Sequence, residues 1–193
     1  MRKDRLLAFS DGVFAIIITI MVLELKVPHE NDLAGLMKVA PVFASYVLSF
    51  IYVAIYWNNH HHMLELVQRV NGACLWANMF LLFWLSLVPF ATAWMGETHF
   101  AMWPTALYGL TLLMPAVGYT ILQRALIGAH PSNAALGTAI GQDTKGRISL
   151  LLYVLGISAT FFQPWLAVVL YGAVALIWLV PDRRIERVVA IAD

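Results

Sequence analysis

A hydroxyl and a carboxylate lie side by side near the start of a long apolar stretch, residues 5–26 of this 193-residue chain. They belong to Ser10 and Asp11, and a second carboxylate, Glu24, lies near the far end of the stretch. A charged group turned toward lipid costs roughly 2.5–3.5 kcal/mol, so such residues usually face a helix bundle or a water-filled path. The stretch therefore predicts a buried helix that carries a function.

The rest of this helix separates an apolar stripe from the polar pair. At about 100° per residue, four side chains fall within roughly 60° of one line. They are Ile16, Thr19, Ile20 and Leu23. Any helix packed on a neighbour has such spacing, and a threonine there commonly bonds to a carbonyl of its own helix. The pattern alone therefore leaves two interpretations open, a packed core face and the lining of a path.

Ser10 and Asp11 point roughly 120–140° away from the line of Ile16, so we expect them to enter a polar network with the next two helices. A carboxylate inside a membrane needs hydrogen-bond donors. The candidate partners are Trp57, His60, His61 and Asn78. Arg5, just before the apolar run, either pairs with a carboxylate or anchors the helix at the lipid headgroups.

The three consecutive histidines at residues 60–62 suggest a metal site, but helix geometry argues against it. Consecutive residues of a helix spread over about 200° and cannot all converge on one ion, so we expect no metal. Cys74 is the single cysteine, which excludes a disulfide within the chain. Its apolar neighbours predict a buried, unreactive thiol.

Composition predicts a membrane protein with several spans. Apolar residues make up 61% of the chain and charged residues 12%, and the mean hydropathy is +0.77. The net charge is only +1 and the basic residues are scattered among loops, so no nucleic-acid partner is expected. No Ser/His/Asp order, HExxH or CxxC motif is present, which argues against an intramembrane enzyme.

Six apolar segments form what we expect to be one all-α domain with six transmembrane helices. Their approximate bounds are residues 5–26, 36–66, 73–95, 100–126, 147–163 and 164–181, with a short tail at 182–193. The run 148–180 carries no charge, and since one crossing needs about 20 residues, two helices meeting at Pro164 fit better than one. The connection 127–146 is rich in glycine and small residues and is predicted to be a loop.

Six crossings place both termini on one side of the membrane. Ten of the 12 basic residues lie on that side, and only Lys26 and Lys38 lie on the other. By the positive-inside tendency, both termini are cytoplasmic. The outer side then holds four carboxylates that would concentrate cations: Glu24, Glu30, Asp32 and Glu97. For the last three, ordinary solvated loop carboxylates are an equally good interpretation.

The opening of the first helix, RLLAFSDGVFAIIIT, resembles a known family signature. Residues 5–11 match the RxxxFSD pattern of the transmembrane protein 175 family, the potassium channels of endosomes and lysosomes. Bacterial members resemble this chain most, since it has no second FSD. The resemblance implies one six-helix repeat per chain, with four chains around a pore that the first helix lines.

The resemblance also implies roles for the stripe and for the signature. A triplet of bulky aliphatic residues narrows the pore in this family, which would make Ile16, Ile20 and Leu23 the constriction, and such constrictions gate by dewetting. A matching Ser or Thr is implicated in potassium preference, which would be the role of Thr19. The signature residues hold the first helix in place, a structural role implied for Arg5, Phe9, Ser10 and Asp11, and WxxHH at residues 57–61 resembles the family's own structural pattern.

The function implied by the resemblance is a potassium-permeable cation channel that prefers potassium over sodium. Its partners would be potassium and other monovalent cations, the lipid bilayer and three further copies of the chain, in the plasma membrane of a prokaryote. No cofactor is expected beyond the permeant ions. The titratable groups near or within the bilayer keep an alternative open, a proton-conducting pathway or an ion-coupled transporter.

Overall fold

The computed structural model describes residues 2–130 and 143–179, and nearly all of them are helical, as the all-α prediction requires. The helices are α1 (Asp4–Leu23), α2 (Leu33–Lys38), α3 (Ala40–Glu65), α4 (Gly72–Ser86), α5 (Val88–Glu97), α6 (Met102–Ala129), α7 (Thr144–Thr160) and α8 (Pro164–Leu179).

Side-chain caps fix where three of the helices begin. The carboxylate of Asp32 accepts a hydrogen bond from the backbone N–H of Gly35 at the start of α2. Asn71 caps α4, and Asp143 caps α7. In each case the side-chain oxygen satisfies a backbone donor of the first turn that has no partner inside the helix.

Prolines divide some of the apolar segments and leave another intact. The apolar segment that contains Pro89 forms two helices, because α4 and α5 are separated at Leu87. In contrast, α6 continues through Pro115. Proline lacks an N–H and clashes with the preceding turn, but neighbouring helices in a bundle can satisfy the freed carbonyl.

The connection between α6 and α7 is shorter at both ends than the predicted loop, residues 127–146. Because α6 continues to Ala129 and α7 begins at Thr144, residues 127–129 and 144–146 are helical and not part of a loop. The centre of that connection, 131–142, lies outside the described residues. So does the tail 182–193.

The long helices alternate in direction. At the end of the bundle where the chain begins, the Lys3 ammonium donates to the backbone carbonyls of Leu64 and Glu65, which end α3, at 3.1 Å each. At the opposite end, Lys26 after α1 pairs with Glu97 at the end of α5. The rings of Phe100 before α6 and Trp165 in α8 have centroids 4.5 Å apart.

A cluster of tyrosines marks the centre of the bundle. Tyr52, Tyr108, Tyr153 and Tyr171 come from α3, α6, α7 and α8, and all four are buried. The Tyr52 hydroxyl donates to the backbone carbonyl of Tyr171 at 2.6 Å. Each phenol thus joins a large apolar surface to a polar tip that finds a partner inside the bundle.

Four helical rods are long and apolar enough to cross a membrane: α1, α3, α4 together with α5, and α6. The last two helices, α7 and α8, have 17 and 16 residues, about 25 Å of helix against a hydrocarbon core of about 30 Å. Cys74, in the first turn of α4, is fully buried. The first helix, α1, packs against α3, α4 and α5 on one side only.

Candidate functional site

One face of α1 belongs to the core of the chain. Its buried residues recur every three or four positions, which is the spacing of one helical face. They are Leu6, Ser10, Phe14, Ile17 and Met21. This face attaches α1 to the bundle along its whole length.

The opposite face of α1 is not covered by any other part of the chain that the structure describes. The three predicted constriction residues lie on it, and Ile16 is 60%, Ile20 42% and Leu23 75% exposed. In one chain the stripe is open on its outer side. Three aliphatic side chains offer no ligand for a cation, so the stripe can narrow a path only if other surfaces enclose it.

Thr19 lies in the same uncovered stripe. Its hydroxyl donates to the backbone carbonyl of Ala15 at 2.9 Å, the bond that a threonine inside a helix commonly makes. Because the single hydroxyl proton is used in this bond, the two lone pairs of the oxygen remain as acceptors. Thr19 therefore presents an oxygen, and no donor, to the open side of α1.

Ser10 and Asn78 join α1 to α4 through a buried chain of hydrogen bonds that ends on α3. The Asn78 amide nitrogen donates to the Ser10 oxygen at 3.0 Å, and the Ser10 hydroxyl donates to the Leu6 carbonyl at 2.8 Å. The Asn78 oxygen lies 2.7 Å from Nε2 of His60, which must therefore carry the ring proton in this arrangement. Three helices are thus joined behind the stripe.

The adjacent residue, Asp11, begins a second and more exposed chain. The indole N–H of Trp57 donates to the Asp11 carboxylate at 2.9 Å. The Trp57 ring stacks on His61 with centroids 6.0 Å apart, and His61 Nε2 lies 3.1 Å from the carboxylate of Glu65. Together these contacts connect α1 to the last two turns of α3.

Two residues assigned to the polar network from the sequence make no contact with it among residues 2–130 and 143–179. Phe9 is 52% exposed, and Arg5 is exposed, with no ion-pair partner among the described residues. Phe14, which sequence reasoning missed, lies against His60 instead, with ring centroids 5.7 Å apart. Its position one turn after Ser10 was the signal that could have identified it.

At the end of the bundle opposite the termini, three of the four carboxylates expected to concentrate cations already have partners within the chain. Glu97 pairs with Lys26 and Glu30 pairs with Lys38, while Asp32 is used as the cap of α2. The hydrogen bond from Lys26 to Glu97 and the attraction between their charges raise the pKa of Lys26. Glu24, directly after α1, has no ion-pair partner among the described residues.

The chain matches a known family in its first half and known proteins along its length. Residues 5–89 match the family model described as "Endosomal/lysosomal potassium channel TMEM175". A potassium channel of Chryseobacterium sp. (strain P1-3) is 56% identical over 187 residues, which cover 97% of each chain. A potassium channel of Streptomyces collinus is 32% identical over 188 residues, 90% of each chain.

A solved structure has a similar fold. The crystal structure of a lysosomal potassium-selective channel TMEM175 homolog from Chamaesiphon minutus superposes with a TM-score of 0.79 and 28% sequence identity. The match covers 92% of this chain and 96% of that one.

Animal relatives are more distant. The endosomal/lysosomal proton channel TMEM175 of mouse is 29% identical over 154 residues, which cover 61% of this chain and 31% of the mouse protein. Similarity along the whole chain is thus found with the bacterial potassium channels.

Proposed function

The chain belongs to the family of the endosomal/lysosomal potassium channel TMEM175, and on this basis we propose that it is a potassium-permeable cation channel. Its bacterial relatives bear the name potassium channel and match it from end to end. The family is one of ion channels and not of enzymes. The permeant ions are potassium and, less readily, other monovalent cations.

The pore is formed by four copies of the chain, with α1 of each copy at the central axis. The observation that carries this proposal is the uncovered stripe of α1, since it lies opposite the face that the Ser10 and Asn78 chain holds against the bundle. Apolar side chains at this position would meet their own copies around an axis. Ile16, Ile20 and Leu23 then form three successive rings.

These rings control whether water occupies the path. Rings of isoleucine and leucine cannot replace the hydration shell of an ion, so a narrow apolar constriction stops conduction by dewetting. Thr19 contributes the one side-chain oxygen of the stripe, and a ring of four such oxygens would give a weak preference for potassium. Glu24, at the outer end of α1, raises the local cation concentration.

The orientation follows the basic residues. Ten of 12 are assigned to the side of the termini, and this bias supports cytoplasmic termini with Glu24 outside. The bacterial relatives support the plasma membrane of a prokaryote as the location. The helices α7 and α8 complete six crossings, although each is slightly shorter than the hydrocarbon core.

A proton-conducting pathway or an ion-coupled transporter is the alternative, and the position of the titratable groups makes it less favourable. Asp11 bonds to Trp57 of α3, His60 bonds to Asn78 of α4, and His61 contacts Glu65 of its own helix, so none of them belongs to the uncovered stripe. A relay through them would therefore run beside the proposed pore. In addition, the relatives that match nearly the whole chain are named potassium channels, not proton channels.

Recording from purified protein in planar bilayers tests the proposal. We expect the wild type to purify as a tetramer and to carry a current that reverses near the potassium equilibrium potential under opposed potassium and sodium gradients. Ile16→Asn should increase the current severalfold, because a polar ring favours water in the constriction.

Val169→Asn is the matched control, because Val169 is 65% exposed on α8, away from α1. It should leave the current unchanged. Equal currents for the wild type and Ile16→Asn, or the same increase with Val169→Asn, would contradict the assigned pore. A current that follows a pH gradient in the absence of potassium would support the proton pathway instead.

A further inference from the structure

A polar cleft lies between the ends of α6 and α7 on the side of the termini, far from the α1 stripe. It encloses about 650 Å³ of space, including the part that opens to solvent. The residues that give it polar character are Thr120, Gln123, Arg124, Asp143 and Arg147. Nothing in the proposed pore mechanism uses them.

Two arginines supply the positive charge of the cleft. Arg124 comes from the last turns of α6 and Arg147 from the first turn of α7. Neither guanidinium has an ion-pair partner among the described residues. Two planar groups with five N–H donors each, facing one space, are the groups that proteins use to bind phosphate oxygens.

The carboxylate of Asp143 does not neutralise this pair. One of its oxygens accepts the backbone N–H of Gly146 at 2.7 Å, as the cap of α7. Two guanidinium groups against one carboxylate leave the cleft with a net positive charge. Asp143 lowers this positive charge, so removing its carboxylate should strengthen the binding of an anion.

Gln123 points to a ligand independently of the arginines. Its side chain is only 6% exposed and lines the cleft, and its carboxamide has no hydrogen-bond partner among the described residues. An oxygen-rich group in the cleft would accept the N–H donors of this amide.

The depth of the cleft matches the lipid headgroups. With 28 residues α6 is about 42 Å long, so its ends extend beyond a hydrocarbon core of about 30 Å. Arg124, five residues from the end of α6, then lies about 7 Å from that end, near the boundary. Arg147 begins a face that continues toward the membrane centre with the exposed residues Leu151 and Leu155.

We propose that this cleft binds the phosphate headgroup of an anionic phospholipid of the leaflet on the side of the termini. The two guanidinium groups and the Gln123 amide hold the phosphate, and the acyl chains lie along the apolar face below Arg147. Basic pockets between transmembrane helices on the cytoplasmic side commonly bind such headgroups. The ligand is a lipid rather than free phosphate because the apolar face is continuous with the cleft.

Native mass spectrometry of the full chain in mild detergent tests this without recording a current. The protein is titrated with phosphatidylglycerol and, separately, with phosphatidylcholine of the same acyl chains. We expect preferential retention of phosphatidylglycerol, and a loss of about fivefold in its affinity for each of Arg124→Gln and Arg147→Gln.

Arg69→Gln is the matched control, since Arg69 is exposed on the same side but outside the cleft. It should leave phosphatidylglycerol binding unchanged. Asp143→Asn should increase the binding, because asparagine keeps the cap of α7 and removes the negative charge. A damaged fold would expose apolar surface to both lipids, so a gain for phosphatidylglycerol without a gain for phosphatidylcholine keeps the test decisive if an arginine variant folds poorly.

Three results would overturn the proposal. The first is equal retention of the two lipids by the wild type. The second is a loss with Arg69→Gln as large as the losses in the cleft, which would indicate general surface attraction. The third is complete displacement of phosphatidylglycerol by millimolar inorganic phosphate, which would assign the cleft to the free ion.

Discussion

At the scale of single residues, α1 keeps its hydrogen-bonding groups and its uncovered apolar groups on different faces. Ser10 and Asp11 bond to residues of other helices, and Thr19 bonds to its own helix. The fold therefore does not depend on the Thr19 hydroxyl. Without it, the backbone carbonyl of Ala15 loses a second donor but keeps its place in the hydrogen-bond ladder of the helix. A change at Thr19 should consequently affect ion permeation more than stability.

Thr19→Ala should lower the potassium preference while leaving the tetramer intact. One hydroxyl contact is worth about 0.5–1.5 kcal/mol, so we expect the permeability ratio of potassium to sodium to fall by about two- to tenfold. The measurement is the reversal potential under mixed ions. Thr19→Ser keeps the hydroxyl and should keep the ratio; an unchanged reversal potential in Thr19→Ala would remove Thr19 from the selectivity mechanism.

Asn78→Ala should destabilise the subunit more than Asp11→Ala. Asn78 is fully buried, and its loss leaves the Nε2 of His60 without a partner, a cost of about 1–3 kcal/mol, and leaves Ser10 with only its bond to the Leu6 carbonyl. Asp11 has one donor, Trp57, which is half-exposed and can bond to water or headgroups instead. Thermal unfolding and tetramer yield in detergent measure both effects.

Asp11→Asn is the control for that comparison, because it keeps an acceptor for the Trp57 indole. It should assemble nearly as well as the wild type. A normal tetramer with altered ion selectivity in Asp11→Ala would instead give Asp11 a role in the pore.

Some of these contacts could be predicted from the sequence and others could not. A polar group inside an apolar helix has few possible partners, so the donors available to Ser10 and Asp11 were limited to a few side chains on the next two segments. Lys26 and Glu97 are different, because both lie in solvated ends, 71 residues apart, and nothing local brings them together. Arg5 and Phe9 share the signature of Ser10 and Asp11, but their helical position turns them outward.

At the scale of elements, the junction of α4 and α5 changes the packing partner of one rod. Before Leu87, α4 packs mainly on α6. After Leu87, α5 packs on α3 as well as on α6. Pro89 lies in the first turn of α5, where a proline has no intrahelical N–H bond to lose, so it is compatible with a helix start at this point. The exchange of partners could not be predicted, because it depends on which helices lie on either side.

The close approach of α7 and α8 depends on Gly156. A methyl group at Gly156 would lie 2.4 Å from the ring of Tyr171, which is fully buried. The ring has no space to move, so Gly156→Ala should destabilise the bundle by about 1–3 kcal/mol. Thermal unfolding of the purified protein is the measurement.

Gly172→Ala is the opposite case on α8, because nothing lies within 4 Å of the added methyl group. Alanine favours a helix over glycine by about 1 kcal/mol, so this variant should be neutral or slightly more stable. If Gly156→Ala unfolded at the same temperature as Gly172→Ala, Gly156 would not be the residue that allows α7 and α8 to approach closely.

At the scale of the whole molecule, hydropathy predicted the helical class and the approximate position of each long helix. Apolar length is a strong signal because every backbone group in lipid needs a partner inside its own segment. The pairing of helices is not encoded in this way. The tyrosine cluster joins α3 with α8, whose residues Tyr52 and Tyr171 are 119 positions apart, and no periodicity within either helix indicates that contact.

Cys74, buried in the first turn of α4, has a practical consequence for this chain. Its sulfur is out of reach of thiol-reactive reagents in the folded protein, so the native sequence is already a silent background for cysteine scanning. Cysteines introduced one at a time along α1 would report, by their labelling rates and without any electrical measurement, which flank of the helix is wetted.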